Sequence, residues 1–380
     1  MLHMKKALLF PCLALGVVLT SFARDEGVTE SVIRIGSSMV QTGPLGPAAV
    51  DYANGSRLYF DYVNSRGGIH GRKIVNTILD DGFDVEKAVE NTRKLLSEEK
   101  VFVIFNNSGT AHTAAILPLA EESRTIVFGP STGASIFREK FNRLLFHVRA
   151  SYADEARRIV EQLKVSGIER IAVCYQDDAF GNTLLSEVRR AAEAEGLRLA
   201  AVVGVNAKQP NFGAVAQELV KASPQAVIFG TAGTTLPRVV KAIQQTAARP
   251  SYYGFSLASL EVINQELGET ARGIVLTQIM PSLSDTSVPL VAEYLALVAS
   301  REGAIRASPI HFEGYVHAKI LAEGFRRAGR SLTTETFIRG MESAGEISYG
   351  KFVARYSSKS HNGSQYVELA IIGNRGQLRR

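Results

Sequence analysis

Short apolar runs alternate with longer amphipathic stretches along most of the chain. The runs at residues 33–39, 101–105 and 226–229 are predicted as strands, and the last two are rich in β-branched and aromatic side chains, which predicts that they are buried. Residues 110–122 and 212–221 repeat apolar positions at helical spacing. Because strands that alternate with helices form parallel sheets covered on both faces, the pattern predicts an α/β fold.

The number of strand–helix units, about ten, is too large for one comfortable sheet. We therefore expect two doubly wound parallel-sheet lobes joined by a hinge. The expected N-terminal lobe comprises residues 24–148 plus 276–349, and the C-terminal lobe comprises residues 149–275 plus 350–380. A small ligand is expected in the cleft between the lobes, at the carboxyl ends of the strands.

The first 23 residues do not follow this alternation. Lys5 and Lys6 precede an apolar run at residues 7–19, and Ser21-Phe22-Ala23 forms a small-x-small end. This order is typical of a secretory signal peptide cleaved after Ala23, which predicts a periplasmic protein. An uncleaved anchor is the alternative, although the run is shorter than the roughly 20 residues that span a bilayer.

Composition and charge exclude several other classes of protein. The 380 residues are 46% hydrophobic and 21% charged, which excludes a disordered chain or a coiled coil. The net charge of +6 is spread without a visible basic cluster, so nucleic-acid binding is not expected. Once the signal peptide is removed, only Cys174 remains, and the seven histidines are scattered. We therefore expect no disulfide, no metal site and no cofactor.

One short motif suggests an enzyme. Residues 129–133, GPSTG, match G-x-S-x-G and follow a predicted strand, as a nucleophile elbow does. A serine hydrolase using Ser131 also needs a histidine base, and none of the later histidines has an obvious triad context. The hydrolase therefore remains a minor alternative.

Three small polar loops follow predicted strands, at residues 106–110, 129–133 and 230–235. Each loop alone is explained by helix capping, which also favours Ser and Thr. Hydroxyl and backbone N–H groups at the start of a helix also suit a carboxylate or another polar head group. Three such loops in an exported two-lobed chain favour a binding protein.

A longer stretch resembles a known family. Residues 64–74, NSRGGIHGRKI, are similar to the N-x-x-G-G-I-x-G-R-x-I segment of periplasmic leucine/isoleucine/valine-binding proteins, the type I solute receptors of ABC importers. Residues 80–84, DDGFD, and residues 178–181, DAFG, resemble further segments of that family. The resemblance extends from about residue 33 to beyond residue 329.

The resemblance implies a set of ligand-binding residues. In the family, the loops after the third and fourth strands hold the carboxylate and ammonium groups of an amino acid. Carried over, these positions are Ser108, Thr110 and Ala111, with Ser131, Thr132 and Gly133 opposite. Phe180 falls where an aromatic ring closes over the ligand from the second lobe, although it could equally be a core residue.

The chain departs from the family at three of these positions. Ala48 stands where an aromatic residue often lies, Ala232 where a tyrosine is common, and Ser256 where a glutamate pairs with the ligand ammonium. Leaving an ammonium group unpaired in a dry cleft would be costly. The ligand could therefore be an amino acid or a related small carboxylate or amide, and Asp177 or Asp178 could supply the missing charge.

The leading hypothesis is an exported, non-catalytic receptor that binds a small molecule by hinge closure. Its expected partner is the membrane permease of an ABC importer, and it is expected to be a monomer. A ligand sensor of the same fold that is not coupled to import is the second hypothesis.

Overall fold

The computed structural model describes residues 25–43, 45–206, 209–301 and 306–379. The expected signal peptide lies outside these ranges. The strands are β1 (Val32–Met39), β2 (Lys73–Asp80), β3 (Val103–Phe105), β4 (Ile126–Phe128), β5 (Leu145–Phe146), β6 (Arg170–Gln176), β7 (Arg198–Val205), β8 (Ala226–Gly230), β9 (Ser251–Gly254), β10 (Val275–Gln278), β11 (Gly345–Tyr349), β12 (Phe352–Ser357), β13 (Ser360–Ser364), β14 (Glu368–Ile372) and β15 (Leu378–Arg379).

The helices lie between these strands and follow the last parallel strand. They are α1 (Gly46–Ser65), α2 (Val85–Ser97), α3 (Thr110–Glu122), α4 (Tyr152–Val165), α5 (Ala179–Ala194), α6 (Phe212–Lys221), α7 (Thr235–Gln244), α8 (Leu260–Leu267), α9 (Pro289–Ala299), α10 (Pro309–Ala328) and α11 (Thr334–Glu342). Two short 3₁₀ helices cover Ser135–Phe137 and Gly268–Ala271.

Two sheets organise the molecule, and the five parallel strands of each follow the same order. The first has the order β2-β1-β3-β4-β5, and the second has the order β15-β14-β10-β9-β8-β6-β7. In both sheets, the first parallel strand lies between the second and the third, as in β2-β1-β3 and β7-β6-β8. The later strands are then added on one side only, which is the doubly wound arrangement. The predicted α/β fold with two doubly wound lobes is confirmed.

Antiparallel pieces complete each lobe. Strands β11, β12 and β13 form a separate antiparallel sheet, and β14 and β15 add an antiparallel hairpin beside β10. The alternation of strands and helices did not predict them, because they are short and no helices separate them.

Strand pairing divides the chain slightly differently from the expected boundaries. An expected boundary at residue 276 falls inside β10, which pairs with β9 of the second sheet. The other expected boundary, at residue 350, would assign β12 to the C-terminal lobe. Phe352 and Tyr356 of β12 instead join the first-lobe core. The backbone N–H of His147 also donates to the carbonyl of His361, at 2.9 Å. The chain therefore crosses between lobes after β5, after β10 and after β13.

A close helix pair anchors the later part of the chain on the first lobe. Helices α1 and α10 cross where both carry glycine. A Cβ atom at Gly55 would lie 1.8 Å from the carbonyl oxygen of His311, and one at Gly314 would lie 1.9 Å from that of Tyr52. Only glycine permits this backbone approach. The pairing buries α10 against the first sheet.

None of the helices in the described ranges combines the length and apolar character that crossing a bilayer requires.

Candidate functional site

The first-lobe wall of the cleft is formed by the loops after β3 and β4, which run side by side. Ser108 and Ser131 form a parallel bridge, and the N–H of Ser131 donates to the carbonyl of Asn107 at 2.9 Å. The hydroxyls of Thr110 and Thr132 lie 2.8 Å apart in a hydrogen bond. Ser108, Thr110 and Thr132 are buried, while Ser131 is half-buried. The structure thus brings four sequence-predicted residues together.

The two other predicted residues of this wall differ in exposure. Gly133 is buried, and its carbonyl accepts a hydrogen bond of 2.8 Å from the N–H of Tyr152. A Cβ atom at Gly133 would lie 2.7 Å from that same nitrogen, so the approach requires glycine. Ala111 lies in the first turn of α3 and is exposed.

A buried polar network lies behind this wall. Asn106, the residue after β3, has a φ of 52°, an uncommon conformation for a residue other than glycine. The hydroxyl of Tyr52 lies 3.1 Å from Asn106 Oδ1 and 2.7 Å from His317 Nδ1. Asn106 Nδ2 donates to Ser56 Oγ at 3.1 Å. Burial and the nearby Arg149 lower the pKa of His317 to about 3, so this ring is neutral at pH 7.

The second-lobe wall is more open. Phe180, in the first turn of α5, is half-buried, and its ring meets Tyr152 edge-on with centroids 5.9 Å apart. Ala232 follows β8 and is also half-buried. At the neighbouring Gly233, a Cβ atom would lie 3.6 Å from Leu45 Cδ2, so the two lobes come close there.

Ser256 contacts a carboxylate supplied by another element. Its N–H donates to Glu155 Oε2 at 2.9 Å, and its hydroxyl donates to Glu155 Oε1 at 3.1 Å. The hydroxyl of Thr277 also donates to Glu155. An acid from α4 therefore stands beside the position where the resemblance implies a glutamate, and both of its oxygens are engaged by the protein.

Arg149 links the two lobes at the first crossing. Its Nη2 lies 3.4 Å from Glu155 Oε1 of the second lobe and donates to Ser256 Oγ at 2.6 Å. Its Nη1 lies 3.4 Å from Glu313 Oε1 of α10 in the first lobe. The guanidinium is fully buried. Burial raises the pKa of Glu313, while Arg149 opposes that rise.

Sequence reasoning missed Arg149, Glu155 and Glu313. The available signal was a single arginine in the largely apolar crossing after β5, because a charge that is buried at a lobe boundary needs a partner. Nothing in the local sequence identified which two acids would meet it.

The aspartates considered as alternatives have local roles. Asp178 caps α5 by accepting from the N–H of Gly181 at 2.9 Å. Asp177 is exposed in the loop after β6.

The surroundings of Ser131 do not match a nucleophile elbow. An elbow requires a tight turn from strand to helix, but only the short 3₁₀ helix Ser135–Phe137 follows Ser131. His147 Nε2 contacts the carbonyl of Phe137, and His317 is engaged by Tyr52 and Asn106. Within the described ranges, no group of three or more acidic, histidine or cysteine side chains could hold a metal ion.

Comparison with known proteins places the chain in a family. A model described as periplasmic binding protein matches residues 32–377, so the chain belongs to the periplasmic binding protein family. A Leu/Ile/Val-binding protein homolog 7 from Brucella abortus (strain 2308) is 21% identical over 360 residues, covering 91% of this chain and 89% of the relative.

Solved structures agree with this assignment. A substrate-binding periplasmic protein from Ralstonia solanacearum has a TM-score of 0.84 and 28% identity, covering 91% of this chain and 99% of its own. A possible leucine/isoleucine/valine-binding protein from Rhodopirellula baltica SH 1 has a TM-score of 0.85 and 23% identity, covering 92% of this chain and 96% of its own. The suspected relationship is confirmed: the chain is a solute-binding protein and not an enzyme.

Proposed function

We propose that this chain is the extracytoplasmic receptor of an ABC importer and that it captures a small amino acid or a related carboxylate or amide between its lobes. The observation that carries the proposal is the first-lobe wall, where hydrogen bonding fixes the loops after β3 and β4 side by side. The family relationship supports a periplasmic location. The permease of the importer is the proposed partner of a monomeric receptor.

The proposed roles of the residues follow from their positions. Ser108 and Ser131, with the N–H groups that begin α3, suit the carboxylate or amide of a ligand. Phe180 covers the ligand from the second lobe, and Ala232 leaves room for its body. Glu155 is already engaged by Ser256, Thr277 and Arg149, so it is a weak candidate for holding a ligand ammonium.

Hinge closure would link ligand capture to recognition by the permease. Helices α3 and α5 lie against each other across the cleft, and Arg190 of α5 lies 3.6 Å from Glu139 of the first lobe. A ligand that contacts both walls favours the closed arrangement, and permease binding to that arrangement is then coupled to ligand binding.

The first test is a thermal-shift screen of the mature, ligand-stripped protein. The panel contains aliphatic amino acids, aromatic amino acids, aromatic carboxylates, dicarboxylates and small amides. A true ligand at 100 times its Kd stabilises the protein by about 2.7 kcal/mol. Ser131→Ala should weaken the binding of this ligand, whereas Ser97→Ala, which removes an exposed hydroxyl of the same lobe, should not. An unaffected Kd in Ser131→Ala would overturn the proposed site, and no stabilisation by any class would overturn the ligand assignment.

Transport needs a separate experiment, because a sensor would bind the same ligand. Uptake of the radiolabelled ligand is measured in cells with and without the gene, and after reintroduction of the gene. Loss and restoration of uptake support an import receptor. Unchanged uptake with a lost transcriptional or motile response to the ligand would instead establish the sensor.

A further inference from the structure

A groove of about 510 Å³ lies beside the hinge, and both lobes contribute to it. The second lobe supplies the start of α8 and the β14–β15 hairpin. The first lobe supplies residues 280–284, which follow β10, and residues 306–309, which lead into α10. None of the proposed ligand-binding residues of the cleft lines this groove. It is therefore a separate cavity, and its volume is typical of small-molecule sites.

One part of the groove is apolar. The side chains that give it this character come from both lobes and are Leu260, Met280, Leu283, Pro309 and Leu378. Such a surface favours the hydrocarbon body of a ligand, because burying it removes apolar area from water.

Three arginines, Arg306, Arg375 and Arg379, line the same groove, and all three are exposed. Within residues 25–43, 45–206, 209–301 and 306–379, the structure gives none of them an ion pair with an acid. Arg143, by comparison, forms a 2.7 Å pair with Glu335. Cations gathered in a concave surface concentrate their field there and attract an anion.

The hairpin holds two of these arginines on a fixed turn. The N–H of Gly373 donates to the carbonyl of Gln377 at 2.8 Å, which closes the turn between β14 and β15. Asn264 Nδ2 of α8 donates to the carbonyl of Gly376 at 2.8 Å, which fastens the turn to the groove wall. Arg375 lies in this turn and Arg379 at its far end, so their backbones are positioned before a ligand arrives.

Two acids also line the groove and limit the charge that it can accept. Glu261 accepts from Ser259 Oγ at 3.1 Å, and Glu368 lies on β14. Among the lining residues that the structure describes, three arginines face two glutamates, and this small positive excess suits a single carboxylate better than a polyanion. A planar guanidinium can bind a carboxylate through two parallel hydrogen bonds.

We propose that this groove is a second binding site that takes an amphipathic organic acid. The carboxylate lies at Arg375 and Arg379, and the apolar body lies against Leu260, Met280 and Leu283. Binding at this site does not depend on the proposed import function. Because the walls come from both lobes, a bound acid also shifts the equilibrium between the open and closed arrangements of the lobes. This second effect rests on the proposed function of the cleft.

The test uses isothermal titration of the mature full chain with octanoate and, as the uncharged counterpart, octanamide. Arg375→Ala/Arg379→Ala is compared with Arg189→Ala/Arg272→Ala, which removes two exposed arginines of the same lobe outside the groove. We expect octanoate to bind at least tenfold more tightly than octanamide. The groove variant should lose at least tenfold in octanoate affinity, and the matched variant should not change.

Three outcomes would overturn the second site: no octanoate binding, equal affinity for octanoate and octanamide, or equal loss in both double variants. Phe180→Ala separates the two sites. Loss of octanoate binding in Phe180→Ala, with full binding in the groove variant, would assign the acid to the cleft; the second site would then fail while the proposed cleft function gained support. Arg375→Lys/Arg379→Lys keeps the charge, and recovery of part of the affinity would support a charge-based contact.

Discussion

The two lobes share one strand order but differ in the chemistry of their interiors. The first lobe contains the five buried histidines, His112, His147, His311, His317 and His361. The second lobe, residues 150–278 and 368–379, has no histidine, and its core is aliphatic and aromatic with the single buried Cys174. Similar topology therefore does not imply a similar response to pH or to substitution.

The two walls of the cleft also differ in polarity and burial. Hydroxyl groups of the first wall bond to each other and are mostly buried, whereas Phe180, Ala232 and Ser256 on the second wall are half-buried. A substitution in the first wall should cost stability as well as affinity. A substitution at Ala232 should change affinity with little effect on folding.

The largest expected effect is at Arg149, where the two lobes meet. Arg149→Ala leaves Glu155 and Glu313 buried without their cation, which typically costs about 3–5 kcal/mol. The free energy of unfolding in urea measures it. Arg143→Ala removes an exposed pair with Glu335 and should cost about 0–1 kcal/mol. Similar losses in the two variants would show that burial gives Arg149 no special role.

Gly133→Ala tests the preset geometry of the first wall. The added Cβ would lie 2.7 Å from the N–H nitrogen of Tyr152, and displacement of that backbone should cost about 1–3 kcal/mol. Gly213→Ala, in α6 with open space around it, should be neutral or stabilising. Urea unfolding and ligand titration are compared for both variants. An unchanged stability in Gly133→Ala would mean that the loop adapts freely.

Because only the first lobe buries histidines, we expect its stability to decrease at acid pH. Burial and Arg138 hold the pKa of His147 well below its usual value, so the folded protein keeps this ring neutral. The unfolded chain binds a proton below about pH 6.5. The free energy of unfolding is therefore not reduced by this histidine above that pH. Well below it, the free energy of unfolding falls by about 1.4 kcal/mol per pH unit. Between pH 6.5 and 5.5, where the unfolded histidine passes from half to almost full protonation, the unfolding free energy of His147→Gln should fall by about 1 kcal/mol less than that of the wild type; an equal fall in both proteins would contradict the prediction.

Thr110→Val removes one hydroxyl from the first wall at nearly constant volume. Thr132 then loses its 2.8 Å partner in a buried place, with an expected cost of about 1 kcal/mol. Thermal unfolding gives the change in stability. Ser186→Ala, at an exposed position on α5, is the control for loss of a hydroxyl in the second lobe. Equal costs would remove the distinction between a buried and an exposed hydroxyl.

The smallest effect on stability is expected at Ala232. Ala232→Ser adds a hydroxyl to a half-buried loop and should change the unfolding free energy by less than about 0.5 kcal/mol. Its Kd for the cleft ligand should nevertheless change, because the new group faces the proposed site. Unchanged affinity for every ligand class would place Ala232 outside the pocket.

Much of the fold was predictable because its signals are local. The predicted helices at residues 110–122 and 212–221 coincide with α3 and α6. The antiparallel sheet of β11–β13 was not predicted, because segments such as SHNGS of β13 have no clear apolar alternation. The lobe boundary near residue 276 also depended on pairing between distant strands, which no local pattern contains.

The site was predictable to the level of its loops. The polar loops after β3 and β4 stood out in the sequence as loops that follow strands, and the family resemblance implied that they act together as ligand-binding loops. The Arg149 cluster was not predictable, because its two acids come from α4 and α10 and meet only after both lobes have formed. The carboxylate beside Ser256 likewise comes from a different element than the resemblance implied.

The packing of α1 against α10 has a consequence for the order in which the chain folds. The five parallel strands of the second lobe come from one continuous segment, whereas the first lobe needs a helix made more than 240 residues after α1. Contacts between such distant residues slow folding, because a long loop must close before they form. When the chain emerges with its N-terminus first, the parallel core of the second lobe can assemble while the first lobe still lacks α10. The first lobe is therefore the part most in need of protection from premature aggregation.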